Sequence, residues 1–467
     1  MPEWEPVVGL EIHVQLKTRT KMFCRCPNTF ATEPNTQTCP VCLAFPGALP
    51  TPNETAIEWT LKLGLALGCE IAPRALFHRK HYPYPDLPKG YQISQYDEPL
   101  CLEGKFVVPG EDGDFEVGIV RAHLEEDAAK TIHVGGATGR IVGAAHSNID
   151  FNRGGTPLVE IVTKPDLHSA EQARRFLQLL RQTVVELGIS DAEMEKGQLR
   201  ADANVSVREQ GETGYRTRTE LKNMNSFNHI ARGIDAEVRR QIATWESGNE
   251  VVQQTLDYEV KSDTVTPRRR KEEADDYRYF PEPDLAPIEP ATELVERLRA
   301  ELPELPGERI RTLTADVGFD NAVDLVATGN EHKARLLVEH GLEWPTAANV
   351  AMNQLASIDP LPENGPALVA IIKQRDTIPR ETLMAAFADS AAGPLDAEAV
   401  LAQTVLADTS ELEPLVDRIL AESPDQVAAY KGGKQGLLGY FVGQVMKETD
   451  GKADPKVVNE LLRTKLG

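Results

Sequence analysis

Residues 9–16 read GLEIHVQL, and with Val8 included the alternation is strict. Val8, Leu10, Ile12, Val14 and Leu16 fall on one side; Gly9, Glu11, His13 and Gln15 fall on the other. Such a period-two pattern marks a half-buried β-strand. One face belongs in a core, and the other lines up a carboxylate, an imidazole and an amide. The pattern recurs. In RAHLEEDAAK, Arg121, His123 and Glu125 share a face, with Glu126 and Asp127 following where the strand is expected to end. In ADANVSVR, Asp202, Asn204, Ser206 and Arg208 alternate with small or apolar residues, and TRTELK sets Arg218, Glu220 and Lys222 on one side. A single strand of this kind reads as a solvated sheet face. Several together, rich in short carboxylates with isolated imidazoles, suit a hard divalent cation such as Mg²⁺ or Mn²⁺. A catalytic zinc would recruit more histidines.

A second constellation is made of thiols. Four of the six cysteines lie within residues 24–42, as Cys24-x-Cys26 and Cys39-x-x-Cys42. Two close pairs match a four-thiolate zinc knuckle, closed to water and therefore structural. Cys69 and Cys101 have no such neighbours and read as small core residues.

Motifs for nucleotide and nucleophile chemistry are missing. No G-x-x-x-x-G-K-[ST] occurs, and VGGATGR (134–140) lacks both the lysine and the following helix. There is no G-x-S-x-G or S-x-x-K, so a hydrolytic nucleophile is not visible. ATP, if used, must be held by metal and basic side chains on a sheet. FHRKHYPYPDLPKGYQISQ (77–95) offers Arg79, Lys80 and Lys89 among prolines and tyrosines.

The elements that must position these residues follow a coarse plan. Up to about residue 290 the chain is rich in strand-like alternation, interrupted by helices expected at 170–187 and 228–248. Ser169 and Gln172 have capping-box spacing at the start of the first, and Gly188 stops it. YFPEPDLAPIEP (279–290) carries four prolines and reads as an extended linker. Helical patterns follow, giving an α+β part and then an all-α part.

Composition bounds the partners. The 467 residues carry a net charge of −22, which argues against non-specific nucleic-acid binding. Residues 431–467 reverse the sign, with seven Lys/Arg (Lys431, Lys434 and Lys447 among them) against four Asp/Glu. Such a local excess suits phosphate-backbone contact, as RRRK (268–271) beside YRYF also could. No apolar run is long enough to span a membrane. The acidic N-terminus resembles neither a signal nor a transit peptide, so the cytoplasm is expected.

The strings GLEIHVQL, CPVCLAFPGALP, DLPKGYQISQ, RAHLEEDAAK, DFNRGGTPLVEIVT, MEKGQLRADANVSVR, ELKNMNSF and DDYRYFPEPDL, with YFVGQVMKETDGKADPKVVNELL near the end, occur in one order. They resemble the GatB family, one component of the aspartyl/glutamyl-tRNA amidotransferases of GatCAB type, over the whole chain. The resemblance implies a cradle domain at 1–292 with a glutamine synthetase-like sheet, a helical domain at 293–404, and a small YqeY-like tail at 405–467 that binds tRNA. It implies ATP-dependent phosphorylation of the side-chain carboxylate of Glu-tRNA(Gln) or Asp-tRNA(Asn), then amidation by ammonia from a GatA-type glutaminase, with a small GatC-type protein bracing the pair. By motif, His13 and Glu126 match the direct Mg²⁺ ligands. Glu11, Glu125 and Asp202 complete the metal and water shell, and Lys80 meets the phosphoryl oxygens. Lys431, Lys434 and Lys447 match the tRNA-gripping tail. The cysteine cluster varies within the family, which supports structural zinc. Three other readings compete: an RNA-binding adaptor with an inert sheet, the sister protein GatE, and a metal-dependent hydrolase with Glu125 as base.

Overall fold

The computed structural model describes residues 3–30, 33–135, 141, 143–269, 277–403, 409–449 and 451–467. The tip of VGGATGR, and Arg270 and Lys271 of RRRK, lie outside the described residues. The chain forms two compact units, Met1–Arg311 and Thr312–Gly467.

The first unit is a mixed α/β structure around one large sheet. Its strands are β1 (Trp4–Gln15), β2 (Glu70–Ile71), β3 (His78–His81), β4 (Tyr91–Ser94), β5 (Cys101–Val108), β6 (Phe115–Glu126), β7 (Lys130–Val134) and β8 (His146–Asp150). The rest are β9 (Pro157–Thr163), β10 (Leu199–Glu209), β11 (Thr219–Lys222), β12 (Thr255–Glu259), β13 (Thr264–Arg269) and β14 (Phe280–Pro281). Nine of them join in the order β13-β12-β11-β10-β1-β9-β6-β5-β2. The β11–β12 pair is parallel and its neighbours in the sheet are antiparallel. β1 is therefore an interior strand, flanked by β10 and β9.

The apolar side of β1 is buried as its alternation requires. Val8, Leu10, Ile12, Val14 and Leu16 are each at most 1% exposed. They share a core with Ala203 and Val205 of β10, Val159 and Ile161 of β9, and Ala122 and Leu124 of β6. Helices α1 (Glu54–Ala66), α2 (Ala170–Glu186) and α3 (Phe227–Glu246) pack on the unit. Phe176, Leu177, Leu180 and Val184 of α2 and Ile230 and Ile234 of α3 are fully buried. Ser169 Oγ accepts from Gln172 N at 3.1 Å, while the Gln172 side chain reaches back to His168 N, one residue short of Ser169's own amide. Ser226 caps α3 through His229 N.

The proline-rich stretch does not behave as a free linker. β14 pairs with β3, and Ala75 bridges Ile288. The buried Glu282 carboxylate grips Arg79 with two bonds of 2.7 and 2.8 Å. Proline removes ladder donors, so a charged side-chain pair does much of the fastening.

The second unit is helical. Its end has a core of its own, formed by Leu412, Val416, Ile419, Phe441, Val445, Val458, Leu462 and Leu466. No helix among the described residues is long and apolar enough to cross a membrane.

Candidate active site

The sheet's register gathers the polar faces that alternation proposed. His13 pairs with Arg200 of β10 on one side and Glu160 of β9 on the other, and Glu160 pairs with His123 of β6. Cross-strand partners share a face, so Arg200, His13, Glu160 and His123 form one row across four strands. Glu11 lies in the next row, opposite Asp202. Gln15 and Glu125 lie in the row on the opposite side of His13, each opposite Leu158.

Distances show a shared locus. His13 Nε2 is 3.5 Å from both Glu125 Oε1 and Glu160 Oε2, and His123 Nε2 is 3.7 Å from Glu160 Oε2. Two sets of potential ligand atoms, Glu11/His13/Glu160 and His123/Glu125/Glu160, each lie within 4.8 Å of one another. They share Glu160.

The electrostatics of this face call for a cation. Burial and the neighbouring Glu160 push the Glu125 carboxyl up to about 7. Burial and Glu160 also raise Glu11. Burial alone would lower the His13 imidazole, but its contact with Glu160 and the charges of Glu125, Glu160 and Glu11 outweigh that and hold it at about 9. Burial drives His123 the other way, down to about 4. Two carboxyls forced toward protonation and a histidine holding a proton are what crowded anions do when only protons can neutralise them. A divalent ion on the same oxygens and imidazole would replace those protons, so the donor set fits Mg²⁺ or Mn²⁺.

Cations surround this locus. Lys80 stands over the Tyr277 ring at 4.6 Å. Burial opposes its charge, yet Glu125, Tyr279 and Glu160 outweigh burial and keep the ammonium protonated well above the ordinary lysine range. Lys222 pairs with Asp202 and lies 3.4 Å from Glu220. Asp202 is thus beside Glu11 but already neutralised by a lysine. Asp127 is buried and held ionised: burial raises its pKa, but Arg200, Arg153 and the Gln15 amide more than compensate.

Glu126 does not join this group. β6 runs on through Glu126 instead of ending before it, so Glu125 and Glu126 point to opposite faces. Glu126 Oε1 accepts from Ile93 N at 2.9 Å and is paired with Lys89. It lines a cavity of about 250 Å³ with Lys89, Tyr91, Phe23 and Cys42. The motif match places His13 and Glu126 at one ion; here Glu125 and Glu160 are the carboxylates 3.5 Å from His13 Nε2, and Glu126 is paired with Lys89. Glu160 sits in TPLVEIVT, an interior strand apolar on both sides, where period-two reading has nothing to alternate. The signal available was a single carboxylate in an otherwise apolar run.

The cysteine spacing is borne out as a cluster. Cys24, Cys26, Cys39 and Cys42 bring all four sulfurs within 4.8 Å, with Cys39 and Cys42 Sγ 3.8 Å apart. Zn–S bonds of about 2.3 Å imply tetrahedral edges of about 3.8 Å, so the thiols fit a zinc ion. The Cys24 contact, the Cys39 amide and the nearby Lys21 ammonium draw the Cys42 thiol down to about 5, against burial. Burial and the neighbouring sulfurs push Cys26 up to about 11. Gly155, at φ +86°, lets its carbonyl accept from Met22 N at 2.7 Å and ties the knuckle to the segment entering β9.

Lys431, Lys434 and Lys447 lie in the second unit, all exposed, and none pairs with a carboxylate among the described residues. Lys465, by contrast, bridges Glu413 and Asp417.

Comparison with known proteins agrees with this architecture. Residues 6–296 match the family described as GatB/GatE catalytic domain, and residues 348–466 match the family described as GatB domain. The chain is 43% identical to a protein of Syntrophotalea carbinolica over 99% of this chain and 98% of that one. It is 44% identical to a Rhodococcus jostii protein (99% and 96%) and 44% identical to one from Frankia casuarinae (100% and 96%). All three are named as the B subunit of aspartyl/glutamyl-tRNA(Asn/Gln) amidotransferase. The chain belongs to the GatB family.

Proposed function

We propose that this protein is the carboxylate-activating component of a glutamine-dependent tRNA amidotransferase. The observation that carries the reading is end-to-end similarity to proteins bearing that name, joined to a polar sheet face that gathers carboxylates, imidazoles and cations. A carboxylate resists attack by ammonia because it would have to expel an oxide-like group. The γ-phosphoryl of ATP passes to the side-chain carboxylate of Glu-tRNA(Gln) or Asp-tRNA(Asn), giving an acyl phosphate and ADP. Ammonia then adds to the acyl carbon, the C–O bond to phosphate breaks, and the nitrogen's surplus proton leaves with the phosphate. The products are the amide and inorganic phosphate. Such a transfer needs positioning and charge stabilisation more than a protein nucleophile.

In this reading Glu11, His13, Glu125 and Glu160 hold Mg²⁺, which when bound neutralises charge on the phosphoryl oxygens. Lys80 meets those oxygens directly. Asp202 fixes Lys222 beside Glu11. Glu126 serves from the reverse side of β6, in its cavity with Lys89. The four cysteines hold a structural zinc. The assembly includes a GatA-type glutaminase and a small GatC-type protein in the cytoplasm. The chain divides into a glutamine synthetase-like cradle at 1–292, a helical domain at 293–404 and a YqeY-like tail at 405–467. Lys431, Lys434 and Lys447 grip the tRNA backbone. Replacing all three by alanine raises the tRNA Kd and flattens its log-salt slope by up to about 3 units, leaving kcat unchanged.

The test is amide formation by the assembled complex with ATP, glutamine and each mischarged tRNA. Glu125→Gln is expected to lower amidation by about 10²-fold while tRNA binding, measured by filter retention, persists. Full activity in that variant favours the adaptor reading. Release of free glutamate without ATP favours a hydrolase.

A further inference from the structure

We infer that Arg200 is an anion clamp on the reacting face, and that Asp127 is the residue that positions it. This rests on the function proposed above and adds a residue to it. Arg200 belongs to the row that contains His13 and Glu160. Its side chain is 42% exposed, yet its Nε is buried and has no hydrogen-bond partner. Among the described residues its protein acceptor is Asp127 Oδ2, 3.2 Å from Nη2. Asp127 is itself 4% exposed and takes Gln15 Nε2 on the same oxygen at 2.9 Å, with Arg153 Nε 3.6 Å away. One end of the guanidinium is therefore tethered to a fixed buried charge, while Nη1 has no protein acceptor among the described residues.

The other cations nearby are differently placed. Arg79 is forked onto Glu282. Arg153 donates to the carbonyls of Ala128 and Ala129. Lys222 is committed to Asp202 and Glu220. Arg121 leans on Glu160, one of the metal-set carboxylates, at 3.9 Å. Arg200 differs in its tether, a carboxylate outside that set. A guanidinium so held presents parallel N–H groups suited to two oxygens of one anion. The ligand class is an oxyanion of the reaction, either the substrate carboxylate or the terminal phosphoryl group.

Arg200→Ala, Arg200→Lys and Asp127→Asn in the assembled complex test this, with Tm measured alongside. Arg200→Ala should lower kcat/KM for amidation by about 10²-fold or more. Arg200→Lys should fail to restore it, because an ammonium cannot supply the fork. Added guanidinium ion should rescue Arg200→Ala at least about tenfold, as no scaffold role would. Asp127→Asn should retain more activity than Arg200→Ala. A KM increase confined to ATP identifies the phosphoryl group as ligand; one confined to aminoacyl-tRNA identifies the carboxylate. Arg200→Ala activity within twofold of the parent overturns the clamp, as does a loss with lowered Tm and no guanidinium rescue. If the parent complex forms no amide, the function itself is refuted and the clamp with it; an active parent with an active Arg200→Ala refutes the clamp alone.

Discussion

Two clusters in the first unit offer ligands to metals, and they are built in opposite ways. The thiol cluster is local: its four sulfurs come from residues 24–42 and meet through turns. The carboxylate–imidazole face is assembled from β1, β6, β9 and β10, strands separated by long stretches of chain. Within the thiol cluster the Cys24 contact draws Cys42 down to about 5 while burial pushes Cys26 up to about 11. The face holds carboxyls that repel one another, with Glu125 and Glu11 pushed toward protonation by burial and Glu160. The difference teaches that closure and self-sufficiency belong to a structural centre. Charge crowded on a rigid sheet face is the kind of arrangement found at functional sites.

The largest effect should come from Glu160, the carboxylate common to both ligand sets. Glu160→Gln keeps the shape and removes the charge. It should cut amidation by about 10²–10³-fold with Tm altered by no more than about 3 °C, read by differential scanning calorimetry. Activity within tenfold of the parent would break the claim that the face is the chemical centre. Next is Cys39→Ser, which should do the reverse. Tm should fall by about 5 °C or more and bound zinc, about one ion per chain in the parent, should be lost, while amidation at low temperature falls less than threefold. A variant equally stable and a parent free of zinc would remove the contrast.

The smallest effect is a pH dependence. His13 is raised above its unfolded value of about 6.5 to about 9. Its contribution to stability in Mg²⁺-free protein is therefore full below about 6.5 and is lost as pH rises through about 9. The urea midpoint should decline across that window, and His13→Gln should flatten the decline. Mg²⁺ should suppress it too, because the ion displaces the proton that His13 carries. A slope that is unchanged in His13→Gln would place the titration elsewhere.

How much of this the sequence exposes depends on whether a residue's neighbours are local. Alternation in GLEIHVQL was enough for the core and polar faces of β1, and cysteine spacing was enough for the thiol cluster. The helices Ala170–Glu186 and Phe227–Glu246 fell within two residues of their periodicity. Membership of the metal set was harder. Glu125 and Glu126 are adjacent in sequence, and because β6 keeps its pleat through Glu126 only Glu125 shares the face of His123 and His13. Glu160 and Arg200 depend on pairing register, which no single strand encodes. The proline-rich segment read as a linker because its fastening, the Arg79–Glu282 fork, joins residues far apart in sequence.

β6 carries an irregularity where its register against β9 shifts, between Ile119 and Arg121. Across that step one extra residue, Val120, is taken up before His123 and Glu125 align with Glu160 and Leu158. The two carboxylates that follow are therefore framed like adjacent letters in a code read two at a time. Point substitutions upstream leave the frame intact. Loss of a single residue between 119 and 124 would turn Glu126 toward His13 and Glu125 into the core, or strip β6 from β9. Natural or engineered length variation should thus be tolerated in the turn at 109–114 and excluded from this short span, however conservative the residues that remain.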